Sequence, residues 1–236
     1  MDDPGDAIDE PAMLASLQAM FEDSIDEVDA GAPVPWCADW RVADLVEHLS
    51  VVHHWAAAMA RSSDVEPWSG VADPRLRYAQ CAAELRSTLE SLDPSAPART
   101  LLERGTVAFW YRRQLHETLI HLWDLRTAGG LDLVVAPVIW ADTVDEVVTV
   151  MHPRQVRLGR APAPAVRLEL AATDRDRTWS VSASPTAPEG RTATVRGPAE
   201  ALALLVWRRI TLDDGRLSVD GDEAVLTAVL DDHFVP

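Results

Sequence analysis

The sequence predicts an α+β protein of two parts, an all-helical N-terminal domain followed by a smaller α+β domain. Two observations carry this expectation. As far as Met151, apolar residues recur mainly at three- and four-residue steps, the period of one helical face. After Pro153 the chain changes to short alternating or β-branched runs separated by polar turns, the signature of strands. The expected division is an acidic, disordered start over residues 1–10, a helical domain over 11–152, a linker over 153–166 and the α+β domain over 167–236.

The first helix begins after Pro11, where Met13, Leu14, Leu17, Met20, Phe21 and Ile25 make one apolar face. Gly31, Pro33 and Pro35 break the chain into a loop, and a second helix opens near Trp40 with Asp39 as candidate N-cap. A third helix covers about 73–92, with Pro74 in its first turn, a position that needs no backbone donor. Pro94 and Pro97 force a connection to a fourth helix, about 105–128, which the Gly129-Gly130 pair stops. A fifth helical pattern spans 137–151. In the second domain, 166–171 and 179–183 read as a hairpin around a polar turn, and 191–196 as a third strand. A helix from Pro198 to about Trp207, a short strand at 216–219 and a last helix at 222–230 complete it.

Composition narrows the function classes. The chain has 236 residues, of which 47% are hydrophobic and 25% charged, enough to bury a core. Its net charge is −17, and all 21 basic residues are arginine. So acidic a surface, with no basic recognition helix, disfavours wholesale binding to nucleic acid or anionic membrane. The sequence is therefore expected to work without either. Two cysteines, Cys37 and Cys81, make no disulfide framework and fit a reducing cytoplasm. No run approaches the ~20 apolar residues that span a bilayer, and the acidic start lacks a signal peptide's basic and apolar regions. A cytoplasmic protein is expected.

The residues that can carry chemistry are His48, Glu117 and His121. Glu117 and His121 are four apart on the fourth helix, so they project from one face about a turn apart. His48 lies mid-helix between Leu45 and Leu49, directed at the bundle interior. A His-Glu-His set is the ligand count of a catalytic zinc centre that keeps a fourth position open. On spacing alone, the same residues read equally well as a core histidine beside a surface carboxylate. The run HETLIH (residues 116–121) has one residue too many for a zinc-protease HExxH motif. His116 and His121 stand five apart, about 140° around the helix, and cannot share a metal. His53, His54 and His116 are expected to face solvent or neighbouring helices. Asp124, three residues past His121, is either an acceptor that orients its imidazole or an ordinary helix-end carboxylate. Trp55, seven residues past His48, shares that residue's face and is the candidate pocket wall.

These residues also carry a resemblance. The segment W-x3-D-L-x2-H-L (Trp40 to Leu49) and the segment R-x3-E-x3-H-x2-D (Arg113, Glu117, His121, Asp124) closely resemble the DinB-like, mycothiol-dependent maleylpyruvate isomerase family. The resemblance implies a four-helix bundle with a metal site, followed by a small C-terminal α+β domain. It implies a divalent metal, usually zinc, on His48, Glu117 and His121, and mycothiol, the small thiol of actinobacteria, as cosubstrate. It also points to Arg209 as the family's active-site arginine, although Arg208 replaces the glycine that the family places before it. Arg112 and Arg113 are further candidates for holding substrate carboxylates, but as neighbours on one helix they cannot both face inward.

A thiol at an open metal position is deprotonated by the ion's charge and becomes a nucleophile at neutral pH. Such a thiolate can add to an activated double bond, permit rotation and leave, or can displace a leaving group. The expected partners are thus a small-molecule thiol and an electrophile, and the activity is isomerase or S-transferase. The competing class is a non-catalytic metal-binding bundle with a stress or regulatory role.

Overall fold

A computed structural model of the chain describes residues 7–102, 104–162, 164, 166–181, 192–231 and 234–235. The acidic start, as far as residue 6, lies outside them. The chain divides into two compact units, which meet between Val134 and Val135.

The N-terminal unit is a four-helix bundle: α1 (Glu10–Glu27), α2 (Val42–Ala60), α3 (Pro74–Ser91) and α4 (Ala108–Ala128). Each helix starts where its sequence satisfies the first free N–H groups. Asp9 accepts from Ala12 N at 3.0 Å ahead of α1, and Asp73 accepts from Leu76 N at 2.9 Å ahead of α3. The second helix has Arg41 at its N-cap, two residues after the predicted Asp39. Asp44 reaches back instead, its Oδ2 accepting from Arg41 N at 2.8 Å. At the far end of α4, Gly130 adopts φ +66°, and Leu131 N closes back on Arg126 O at 2.8 Å. That glycine ends the helix as the sequence predicts.

Helices α2 and α3 pack together, as do α1 and α4, around a core in which Leu14, Ala56, Ala57, Leu85, Leu89 and Trp110 are buried. The alanines of α2 let its neighbours approach closely. Each fully buried Leu contributes ~1.5–3 kcal/mol by leaving water. A buried polar chain crosses this core. Arg86 donates to Gln18, Gln18 contacts His53 Nε2 at 3.2 Å, and His53 Nδ1 meets Gln114 Oε1 at 2.8 Å. It joins all four helices. Between α3 and α4 lie two two-residue strands paired antiparallel, β1 (Pro97–Ala98), where the sequence predicts a plain connection, and β2 (Gly105–Thr106), where it predicts the start of the fourth helix. Runs this short carry no alternation that could announce them.

The C-terminal unit begins with α5 (Pro137–Glu146), one π-helical turn (Val147–Met151) and α6 (His152–Arg157). Two expectations are corrected here. Pro153 does not end the helix: the chain stays helical to Arg157, with His152 N bonding back to Val147 O in the wide turn. A π-turn before proline absorbs the donor that proline lacks. The fifth helical pattern also belongs to this unit and not to the bundle, because α5 packs on α7. Periodicity marks a buried face, and it cannot say which partner buries it.

Four strands follow: β3 (Arg167–Ala172), β4 (Thr178–Val181), β5 (Thr192–Gly197) and β6 (Ser218–Asp220), in the order β4-β3-β5-β6. The hairpin and third strand stand as predicted, with β3 antiparallel to β4 and parallel to β5. Ala183 and Arg191, at the edges of the expected strands, lie outside the described residues. Helix α7 (Ala199–Val206) is apolar nearly all round and lies buried against the sheet and α5. Helix α8 (Glu223–Asp231) follows β6.

Candidate metal centre

The two motifs resolve into structural duties. On α2, Asp44 caps the helix start while Leu45 and Leu49 are wholly buried. The two leucines fix the rotation of the helix, and His48 is carried toward α4. On α4, steps of four, four and three residues put Arg113, Glu117, His121 and Asp124 on one face. Glu117 Oε1 then lies 3.4 Å from His48 Nε2 and 3.3 Å from His121 Nε2. Among the described residues, His48, Glu117 and His121 form the one group of three able to hold a metal ion, with donor atoms all within 4.8 Å of one another.

The donor set fits a metal. Ligand atoms on ~2.0–2.1 Å zinc bonds at tetrahedral angles stand about 3.4 Å apart, which matches both nitrogen–oxygen separations here. The outer partners agree. His121 Nδ1 is paired with Asp124 Oδ2 at 3.0 Å, so the other ring nitrogen is directed at Glu117. Asp124 is buried and bonded to the His121 ring, so it is no free helix-end carboxylate. Arg113 Nη2 donates to Glu117 Oε2 at 2.7 Å. Cys37, in the loop before α2, donates its thiol to Asp124 Oδ2 at 3.6 Å. The His48 side chain remains 34% exposed, so the group is open to solvent on that side.

The charges are strongly coupled. Burial opposes the Glu117 carboxylate, yet hydrogen bonds from His121 and His48 and the charge of Arg113 hold its pKa well below the ordinary range. Burial also opposes a charged His121, but Asp124 and Glu117 outweigh it and push its pKa to about 9. Such a site attracts a positive charge. A proton or a metal ion can supply it.

The remaining candidates fall elsewhere. His116 is fully buried off the ligand face. His53 is fully buried in the polar chain of the core, and His54 bridges Glu84 Oε2 (2.6 Å) and Glu66 O (2.9 Å). Trp55 is corrected: it packs edge-on to Trp110, ring centres 5.1 Å apart, against the apolar core. It shares the angular face of His48 but stands two turns along, about 10 Å on a 1.5 Å rise. The ring beside the ligands is Trp40, with centroids 4.8 Å from His48 and 6.5 Å from His121. Its place in the first motif was the available signal. Cys37 gave none, since it sits in an irregular loop.

In the C-terminal unit the two arginines separate cleanly. Arg208 is exposed at φ +61° just beyond α7, with Arg208 N bonding Leu205 O and Arg209 N bonding Leu204 O. This is the helix-ending position that favours glycine. Arg209 follows it, 9% exposed, with Nη1 donating to Trp207 O at 2.8 Å and its guanidinium over the Trp207 ring. Arg208 thus takes this helix-ending conformation without being glycine.

A model of the mycothiol maleylpyruvate isomerase N-terminal domain matches residues 15–126, and one of the C-terminal domain of the same isomerase matches residues 139–228. The chain belongs to the mycothiol maleylpyruvate isomerase family. It is thereby a member of an enzyme family. The N-terminal match holds His48, Glu117 and His121, and the C-terminal match holds Arg209. The seam between the matches agrees with the division at Val134 and Val135. Among solved structures, a crystal structure of the mycothiol-dependent maleylpyruvate isomerase is similar, at TM-score 0.66 and 12% identity, over 94% of this chain and 98% of that one. A histidine-to-alanine variant of that isomerase is similar at TM-score 0.65 and 11% identity, with the same coverage. At such identity these structures show the shared fold. No curated protein matches the sequence. No described helix is long and apolar enough to cross a membrane.

Proposed function

We propose that the protein is a metal- and thiol-dependent isomerase, with His48, Glu117 and His121 as ligands of a divalent metal and mycothiol as the thiol. The observation that carries this reading is the pair of 3.4 and 3.3 Å separations around Glu117 Oε1, with Asp124 setting the His121 ring from behind. A zinc-like ion bound there supplies one thing, a thiolate at neutral pH.

The chain's own residues do the rest. Asp124 holds the proton of His121 Nδ1, so that Nε2 stays a donor atom toward Glu117. Trp40 walls one side of the ligand set. The exposed edge of His48 leaves the way in for substrates. Arg209 is the arginine that the family resemblance points to for a substrate carboxylate, since a guanidinium makes strong paired hydrogen bonds to such groups. The thiolate adds to the cis double bond of an unsaturated oxo-acid, forming a carbon–sulfur bond as the π pair moves toward the carbonyl. Rotation about the resulting single bond and departure of the thiolate restore the double bond as trans.

Isomerase and S-transferase share this arrangement and differ in what leaves. The deciding experiment incubates metal-loaded protein with mycothiol and a cis oxo-diacid such as maleylpyruvate, followed by mass spectrometry. Isomerisation gives a product of unchanged mass that chromatography separates from the cis substrate, with no thiol consumed. A thiol adduct as the end product would replace isomerase by transferase, and no product with any electrophile offered would remove the thiol reading.

A further inference from the structure

Two oxygens of one carboxylate meet different partners at this centre. Glu117 Oε1 lies 3.4 and 3.3 Å from the two histidine nitrogens, whereas Oε2 accepts from Arg113 Nη2 at 2.7 Å. We propose that Arg113 is a positioning residue that holds Oε2 away from the metal, makes Glu117 a one-oxygen ligand and so keeps a coordination position free for the thiol. This inference rests on the metal-centre reading given above.

The chemistry requires some such device. A carboxylate beside a divalent ion can bind through one oxygen or both, and a second oxygen occupies the position that an open centre reserves for its substrate. Arg113 is suited to prevent that. Its side chain is only 3% exposed, and its planar guanidinium is shaped to hold a carboxylate oxygen. It also sits four residues before Glu117 on the same helix, so the pairing is built into α4 and no loop movement withdraws it. Arg113 was also a sequence candidate for gripping substrate carboxylates. Its engagement with Glu117 gives it a different duty, and Arg209 retains the substrate role.

The test uses the whole protein, stripped with a chelator and reloaded with cobalt(II). Cobalt absorbs intensely in the visible when four-coordinate and weakly when five- or six-coordinate. Wild type is expected to show the intense band. Arg113→Gln is expected to show a band several-fold weaker as Glu117 swings to bind through both oxygens. Its cobalt affinity, from chelator competition, is expected to fall by about 10- to 100-fold, the usual cost of losing a partner that orients a ligand. Arg113→Lys keeps the charge and is expected to fall between, which preserves the comparison if the glutamine variant fails to fold. Weaker binding with an unchanged band would leave Arg113 a merely structural residue and overturn the proposal. A weak band already present in wild type would overturn it too. A wild type that takes up no cobalt would instead overturn the metal centre, so the two failures are told apart.

Discussion

His116 and His121 are five residues apart on α4 and both are almost wholly buried, so burial does not distinguish them. Direction does. His121 stands one turn beyond Glu117 and meets it at 3.3 Å, while His116 is rotated about 140° from that line. His121→Ala is therefore expected to abolish metal binding. His116→Ala is expected to keep the metal and to cost about 1–3 kcal/mol of stability, the scale of disrupting a buried polar group. Elemental analysis beside a denaturant melt reads both quantities. Metal lost from the His116 variant would mean that the ligand face of α4 is assigned wrongly.

Elements position these residues through their ends as much as through their faces. Asp44 closes the first turn of α2 and thereby fixes where, along the helix, His48 falls. Helix α7 ends less well, because Arg208 occupies a left-handed conformation at φ +61° that costs a side chain about 1–2 kcal/mol. Glycine adopts it freely. Arg208→Gly is accordingly expected to stabilise the protein by up to about 1 kcal/mol, part of the gain being offset by glycine's greater freedom in the unfolded chain. A urea titration with unchanged slope checks this. A destabilised variant would show that the Arg208 side chain itself holds the helix end.

Across the bundle, the chain through Arg86, Gln18, His53 and Gln114 joins four helices in one hydrogen-bonded pattern. Burial dominates His53 and lowers its pKa from 6.5 to about 4, against the raising effect of Gln114. Above pH 6.5 the imidazole is neutral in both folded and unfolded chains and adds no pH dependence. Between 6.5 and 4 the unfolded chain binds a proton that the folded one refuses, so stability falls as pH falls. The slope is at most about 1.4 kcal/mol per pH unit, and the total on the order of 3 kcal/mol. His53→Gln removes this titration. The stability gap between wild type and variant is expected to narrow as pH drops from 7 to 4. A gap independent of pH would show that the fold accommodates a charged His53.

Family membership answers the question that composition left between an enzyme and a passive metal-binding bundle, in favour of the enzyme. The sequence by itself determined the helices of the bundle, the hairpin and third strand, and the pairing of Glu117 with His121 one turn apart on α4. Each of these is written in local terms: a 3.6- or two-residue period, a cap, or a pair of side chains one turn apart on one helix. Tertiary structure alone decided the rest. It moved α5 to the C-terminal unit, carried helix past Pro153, put Trp40 beside the ligands in place of Trp55, and brought Cys37 to Asp124 across 87 residues of chain. Local period records that a face is buried. The partner that buries it is a long-range contact, set by how whole helices pack, and no short window of sequence contains it.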